Sequence, residues 1–212
     1  MSNFSIADII KNKDFITNKF NIMKTQSFND SILNYARSYI GKEEISGNKG
    51  FKDVDFQKKI EACGWDKGQA WCSYFCELVW KQAYGQYNTL MVVKLDKLFS
   101  ANAYVNYDNF KKAGFKVSEK AEAGSLAIWS KYKNGKKVKV DIWTIGHIGI
   151  VEKIFDDYFV TIEGNTSKEG SREGLVVGRN NRKYSFNTNN GLRLKGFIHP
   201  VAPDEVAAVA KG

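Results

Sequence analysis

Three cysteines, two histidines and two prolines are all that the 212 residues contain of those types, and each scarcity excludes something. Cys63, Cys72 and Cys76 are odd in number and the last two lie one helical turn apart, so a disulfide framework is not expected. They form no C-x2-C pair and His147 lies far along the chain, so zinc is not expected either. No Gly/Ser tract, fixed-period repeat or block of like charge marks a linker before the last ten residues. No apolar run approaches the length that spans a bilayer, and the opening MSNFSIADIIKNKDF carries charges where a signal peptide would be apolar. Synthesis in the cytoplasm without a signal peptide is the expectation that follows.

What is present suits one packed domain with extensions: 43% of residues are hydrophobic and 14% aromatic, ample for a single core at this length. The net charge of +9 implies attraction to anionic polymers, among them nucleic acids, membrane surfaces and the acidic polymers of bacterial envelopes. Lys and Arg are spread along the sequence and no zinc-finger, homeodomain or RNP motif appears, so no nucleic-acid partner is expected.

Apolar spacing from about Ser5 to Met23 fits one or two short amphipathic helices, read as an N-terminal accessory segment over residues 1–27. The main domain, residues 28–200, opens with a helix that Asp30 or Ser31 would cap and that ends near Gly41. A second helix is expected near Asp53 to Cys63. A third, AWCSYFCELVWKQAYG, turns Phe75, Cys76, Val79 and Trp80 to the core and stops at Gly85. Beyond about Gly114 the period becomes that of strands: GSLAIWSK, HIGIVEKI, YFVTIEG, LVVGR and LRLKGFI are five candidates. Helices followed by strands give an α+β fold with an antiparallel sheet packed on the helices, and residues 201–212 read as a flexible tail.

A thiol attacks an amide only as the thiolate, which a helix N-terminus, a nearby cation or a partner histidine favours. Cys72 sits in the first turn of the third helix, where unpaired N–H groups favour an anion and can hold an oxyanion. Taken alone it also fits a buried structural thiol, as Cys63 and Cys76 do. The base must be His147 or His199. His147 opens an apolar strand, with Gly146 and Gly149 leaving space around the ring; His199 reads as a residue leaving the sheet. An acceptor for the second ring nitrogen is available from Glu163 or Asn165, two apart on one face of the next strand. His147 shares that face only if paired residue numbers in the hairpin sum to an even value, as with His147 opposite Asn165. Gln69 is a candidate second oxyanion donor or a surface residue, and Trp71 and Trp129 either wall a substrate groove or pack in the core.

The run GQAWCSYF, AGSLAIW, GHIGIVEKI, TIEGNTS and LKGFIHP, in that order over residues 28–200, resembles the CHAP family of cysteine, histidine-dependent amidohydrolases and peptidases. The resemblance implies a papain-like core and cleavage of peptidoglycan amides, either between N-acetylmuramic acid and L-alanine or within stem peptides and cross-bridges. It implies Cys72 as nucleophile, His147 as base and then acid, Glu163 as the orienting residue and Asn165 as a polar helper. Some members bind calcium through an aspartate-rich loop before the nucleophile; EACGWDKGQAWC has only Glu61 and Asp66, so neither calcium nor another cofactor is implied. The expectation is a monomeric wall hydrolase, such as a phage lysin, that reaches peptidoglycan after holin-type release or as part of a virion. A cysteine peptidase acting on protein, and a non-catalytic virion-structural or wall-binding module, are the alternatives.

Overall fold

Helix α1, over residues 28–38, is followed at Gly41 by a left-handed turn with φ +88°, a conformation that costs glycine little. The computed structural model describes residue 17 and residues 28–141, 143–167 and 174–202; the expected accessory segment 1–27 and the tail fall almost wholly outside them. Because residues 28–30 are already helical, Asp30 and Ser31 lie inside α1 and do not cap it. Helix α2, Val54–Glu61, is capped by Asp53, whose carboxylate accepts from the Phe56 N–H. Helix α3, Cys72–Gly85, buries Phe75, Cys76, Val79 and Trp80 completely and ends at the expected glycine.

Two further helices, α4 (Thr89–Leu98) and α5 (Ala103–Lys112), were not anticipated from the sequence. Each is announced only by an asparagine whose side chain caps the first turn, Asn88 and Asn102. Only two apolar residues are buried on each, Met91 and Leu95 on α4 and Ala103 and Phe110 on α5, while Leu90 and Val93 of α4 are exposed, so periodicity gave little signal.

The strands are β1 (Val117–Ser118), β2 (Leu126–Lys133), β3 (Lys136–Lys137), β4 (Lys139–Val140), β5 (Trp143–Thr144), β6 (Gly146–Ile154), β7 (Tyr158–Thr166), β8 (Val176–Lys183) and β9 (Gly191–Ile198). The main sheet runs β1-β9-β2-β6-β7-β8 with β3 paired to β2, all antiparallel, and β4-β5 form a separate hairpin. The order of elements is thus helices and then strands, an α+β architecture.

Both faces of the sheet are covered, and the two-residue alternation of strands sorts side chains between them. Leu126, Ile128, Ile148, Ile150, Ile162 and Ile198 join the large helical core. Their neighbours Ala127, Trp129, Val151, Phe159, Leu194 and Phe197 build a smaller cluster. Away from the turn, β6 and β7 pair as Ile150↔Ile162 and Val151↔Thr161, an even sum, which puts His147 and Glu163 on the same face. Toward the turn the register shifts to Lys153↔Val160 and Ile154↔Phe159. Glu152 is the extra residue of this bulge, and it is buried between Arg37 (2.8 Å) and Arg179 (2.7 Å); the bulge converts the odd register set at the turn into the even one that puts His147 and Glu163 on one face.

Candidate active site

The sequence places a tryptophan before the nucleophile position and a glycine inside a strand, and the two belong together. Gly164 faces α3 so closely that a Cβ there would lie 2.7 Å from Trp71 Cζ3 and 2.6 Å from Phe75 Cβ. The first turn of α3 therefore rests directly on β7, between Glu163 and Asn165, as a strand glycine permits. Trp71 is the residue before the helix, without a side-chain cap, and Cys72 is the first helical residue. The N–H groups of that first turn have no intrahelical acceptor. Cys72 is 6% exposed and borders two clefts.

His147 stands at the start of β6, fully buried, with Nε2 2.7 Å from Glu163 Oε2. The even register puts both on one sheet face, and Gly149 makes the contact possible: a Cβ there would be 2.6 Å from Glu163 Cγ. The space expected around the imidazole is thus filled by the Glu163 side chain. Glu163 is also gripped by both arms of Arg182, by Thr161 Oγ1 and by Asn180 Nδ2 at 3.2 Å. Burial alone would make this carboxylate a weaker acid, but His147 and Arg182 outweigh it and hold Glu163 well below the usual carboxylate range.

Burial likewise opposes a charged imidazole. Against it act the Glu163 carboxylate and the Cys72 sulfur, the latter both by hydrogen bonding and by charge, and together they raise His147 from 6.5 to about 9. With Nε2 committed to Glu163, Nδ1 is the nitrogen left for Cys72; it is enclosed and makes no hydrogen bond. Imidazole and carboxylate form one hydrogen-bonded pair beside the Cys72 thiol, and its outer end is clamped by a guanidinium.

The two clefts meet at Ala70, Cys72 and Gly146. One, of about 320 Å³, is mainly apolar and is walled by Ala103, Val140 and Ile145. The other, of about 460 Å³, is the more polar of the two and presents Glu44, Asn48 and Asn165. Asn165 is 6% exposed, in a left-handed conformation with φ +53°, and its neighbourhood interrupts the β7-β8 pairing between Glu163 and Thr166.

Of the expected groove residues, Gln69 is on the surface loop before α3; its Oε1 accepts from the Tyr74 hydroxyl at 2.6 Å. Trp71 and Trp129 need correcting. Trp71 is wholly buried, with Nε1 donating to Glu44 Oε2, and packs on Phe51 at 5.0 Å. Trp129, 1% exposed, lies between His147 and Phe159 with Arg182 over its ring at 5.4 Å. Neither offers a face to a substrate, because the third helix and the smaller core enclose them. His199 belongs to a separate group, with Ser118 at 2.7 Å and Glu122 at 3.2 Å.

Sequence reasoning missed Arg182, Asn180, Thr161, Glu44 and Gly164. Alternation from Glu163 would have found Thr161, and a glycine in a strand was a signal for Gly164. Arg182 and Asn180 reach Glu163 from β8 across the sheet, and no local pattern announces such a pair.

Comparison with known proteins agrees with this geometry: residues 64–165 match the family model described as CHAP domain, a span that contains Cys72, His147, Glu163 and Asn165. A solved structure titled "The crystal structure of Ly7917" is similar at a TM-score of 0.44 and 16% identity, over 81% of this chain and 62% of that one. The chain thus spans about three fifths of that protein's length. No curated protein matches in sequence.

Proposed function

We propose that this chain, whose residues 64–165 form a CHAP domain, hydrolyses amide bonds of bacterial peptidoglycan, with Cys72 as nucleophile and His147 as its acid and base. One observation carries the reading: His147 is pinned at Nε2 by Glu163, and its enclosed Nδ1, which makes no hydrogen bond, is the nitrogen left for the nearby Cys72 sulfur. A buried imidazole held this way is oriented for proton exchange with a thiol.

The chemistry then runs in two steps. His147 takes the Cys72 thiol proton as the sulfur adds to the amide carbonyl, and the new oxyanion accepts a hydrogen bond from the Cys72 backbone N–H. The tetrahedral adduct collapses as His147 gives its proton to the departing amine, which leaves a thioester on Cys72. Water attacks the thioester while His147 takes its proton. Collapse of the second adduct frees the carboxylic acid, and the proton returns to the Cys72–His147 pair. Glu163 stabilises the imidazolium throughout, and Arg182 keeps Glu163 in place. Asn165 borders the polar cleft beside Cys72 and takes the part of polar helper. The clefts on either side of Cys72 suit a chain that passes through the site, with its apolar part against Val140 and Ile145 and its polar part toward Glu44 and Asn48.

Digestion of purified peptidoglycan tests this reading. The wild type is expected to release fragments with new amines, and Cys72→Ser or His147→Ala to release none while staying folded. Mass spectrometry of the fragments assigns the bond: an amidase leaves intact sugars with free lactyl groups, an endopeptidase leaves shortened stems. Cleavage of unfolded polypeptide with no action on wall would overturn the substrate assignment.

A further inference from the structure

Most lysines are spread along the sequence, but five fall within residues 131–139, and the fold sets these on one ribbon. Lys131, Lys133, Lys136, Lys137 and Lys139 are all exposed, no acidic residue interrupts the stretch from Lys131 to Val140, and none of the five makes an ion pair among the described residues. The pairing Tyr132↔Lys137 and Lys133↔Lys136 puts Lys131, Lys133 and Lys136 on one side of the ribbon. Neighbours along one strand face stand about 7 Å apart, within the roughly 8 Å Debye length at physiological salt, so their fields add.

This ribbon is held in place. Its turn uses Asn134 and Gly135 at φ +50° and +74°, and is tied down by Asn134 N–H to Asn190 Oδ1 (2.9 Å) and Gly135 N–H to the Asn189 carbonyl (3.0 Å). Its base continues into the active site: Val138 N–H donates to the Lys131 carbonyl and Ile145 N–H to the Val138 carbonyl, while Val140, Thr144 and Ile145 wall the apolar cleft beside Cys72. A polymer lying on the lysines is therefore alongside the nucleophile.

We propose that the 131–139 ribbon is a docking surface for a polyanion with phosphodiester charges carried on the bacterial wall, and that it brings wall substrate to the Cys72 cleft. The occupant rests on the peptidoglycan reading above. Single-stranded nucleic acid shares the charge, but binding it strongly also requires open aromatic faces on which bases stack. Of the described rings beside the ribbon, Tyr132 and Tyr104 are covered by the protein's own cations: Arg193 lies 3.6 Å over Tyr132, and Lys137 and Lys195 lie 4.7 and 4.0 Å over Tyr104. Charge recognition without stacking suits a flexible phosphodiester polymer.

The test uses the full chain and a triple variant, Lys131→Glu, Lys133→Glu and Lys136→Glu, whose side chains touch neither the nucleophile nor its clefts. Binding to purified poly(glycerol phosphate) is measured at several salt concentrations, and cleavage is measured on walls that carry the polymer and on walls stripped of it. We expect wild-type affinity to fall steeply with salt and the variant to bind at least about 10-fold more weakly with a shallower salt dependence. Wild type is expected to cut polymer-bearing walls faster than stripped ones, and the variant to cut both at the wild-type rate for stripped walls. Equal polymer binding by the two proteins, or binding of a single-stranded oligonucleotide of matched charge as tightly as the polymer, overturns the proposal. Failure to cut stripped walls would count against the hydrolase reading, and the polymer-binding comparison would still decide the ribbon's role.

Discussion

His147 Nε2 and Glu163 Oε2 are 2.7 Å apart and both side chains are fully buried, so the imidazole is fixed before any substrate arrives. Desolvation of either group alone would suppress its charge. Together, with Arg182 behind the carboxylate, they keep it. This arrangement converts an ordinary histidine into an acid that holds its proton until an amine leaves.

Glu163→Gln keeps the shape and removes the charge. Burial then acts on His147 with less opposition, so its titration is expected to move down from about 9; NMR of the ring protons reports it. Cleavage is expected to fall by about 10²- to 10⁴-fold, the range for disabling a general acid–base.

Cleavage itself is expected to decline as pH rises through about 9, where His147 loses the proton it gives to the leaving amine. A pH profile of kcat/KM on a soluble stem-peptide substrate checks this, and an alkaline limb near 6.5 would contradict it.

Stability follows the same pair, with opposite signs for its two members. His147 is raised in the folded state, so its contribution is complete below 6.5 and is lost as pH rises through about 9; a shift of that size is on the order of 3 kcal/mol. Glu163 is depressed, so its contribution is present above 4.5 and is lost on acidification below that value. Urea unfolding from pH 4 to 10 is expected to show greatest stability between about 5 and 6.5 from these two groups, and Glu163→Gln should flatten the alkaline fall.

Much of this site was legible in the sequence because it rests on local rules. Cys72 at a helix start and Gly85 at its end follow from periodicity and turn chemistry, whereas the even register joining His147 to Glu163 was only a condition in the sequence and is met through the bulge at Glu152. Trp71 and Trp129 were ambiguous for the opposite reason: a tryptophan looks the same in sequence whether its face meets substrate or core, and only Glu44, Phe51 and Phe159 arriving from elsewhere decide it. Arg182 and the helices α4 and α5 escaped notice because long-range pairing leaves no local period and the apolar residues of α4 lie on exposed as well as buried faces.

Gly164→Ala tests the close seat of α3 on β7. Its Cβ would fall 2.6 Å from Phe75 Cβ, so α3 must shift, at about 1–3 kcal/mol of stability. Activity at temperatures where the variant remains folded is expected to drop further than stability explains, since the shift carries Cys72 away from His147. Thermal melts paired with cleavage rates separate the two effects.

Arg182→Met should weaken folding by about 3–5 kcal/mol, because it leaves the buried Glu163 charge with one fewer partner. Arg182→Lys restores charge without the two-armed grip and is expected to recover part of the stability. Equilibrium unfolding of both variants checks the order.

The most direct test of the central claim is the release of free amines from purified peptidoglycan by wild type, Cys72→Ser and His147→Ala, each shown to be folded by circular dichroism. Thiol–imidazole chemistry predicts steady release by the wild type and none above background by either variant. Release by Cys72→Ser at the wild-type rate would contradict it.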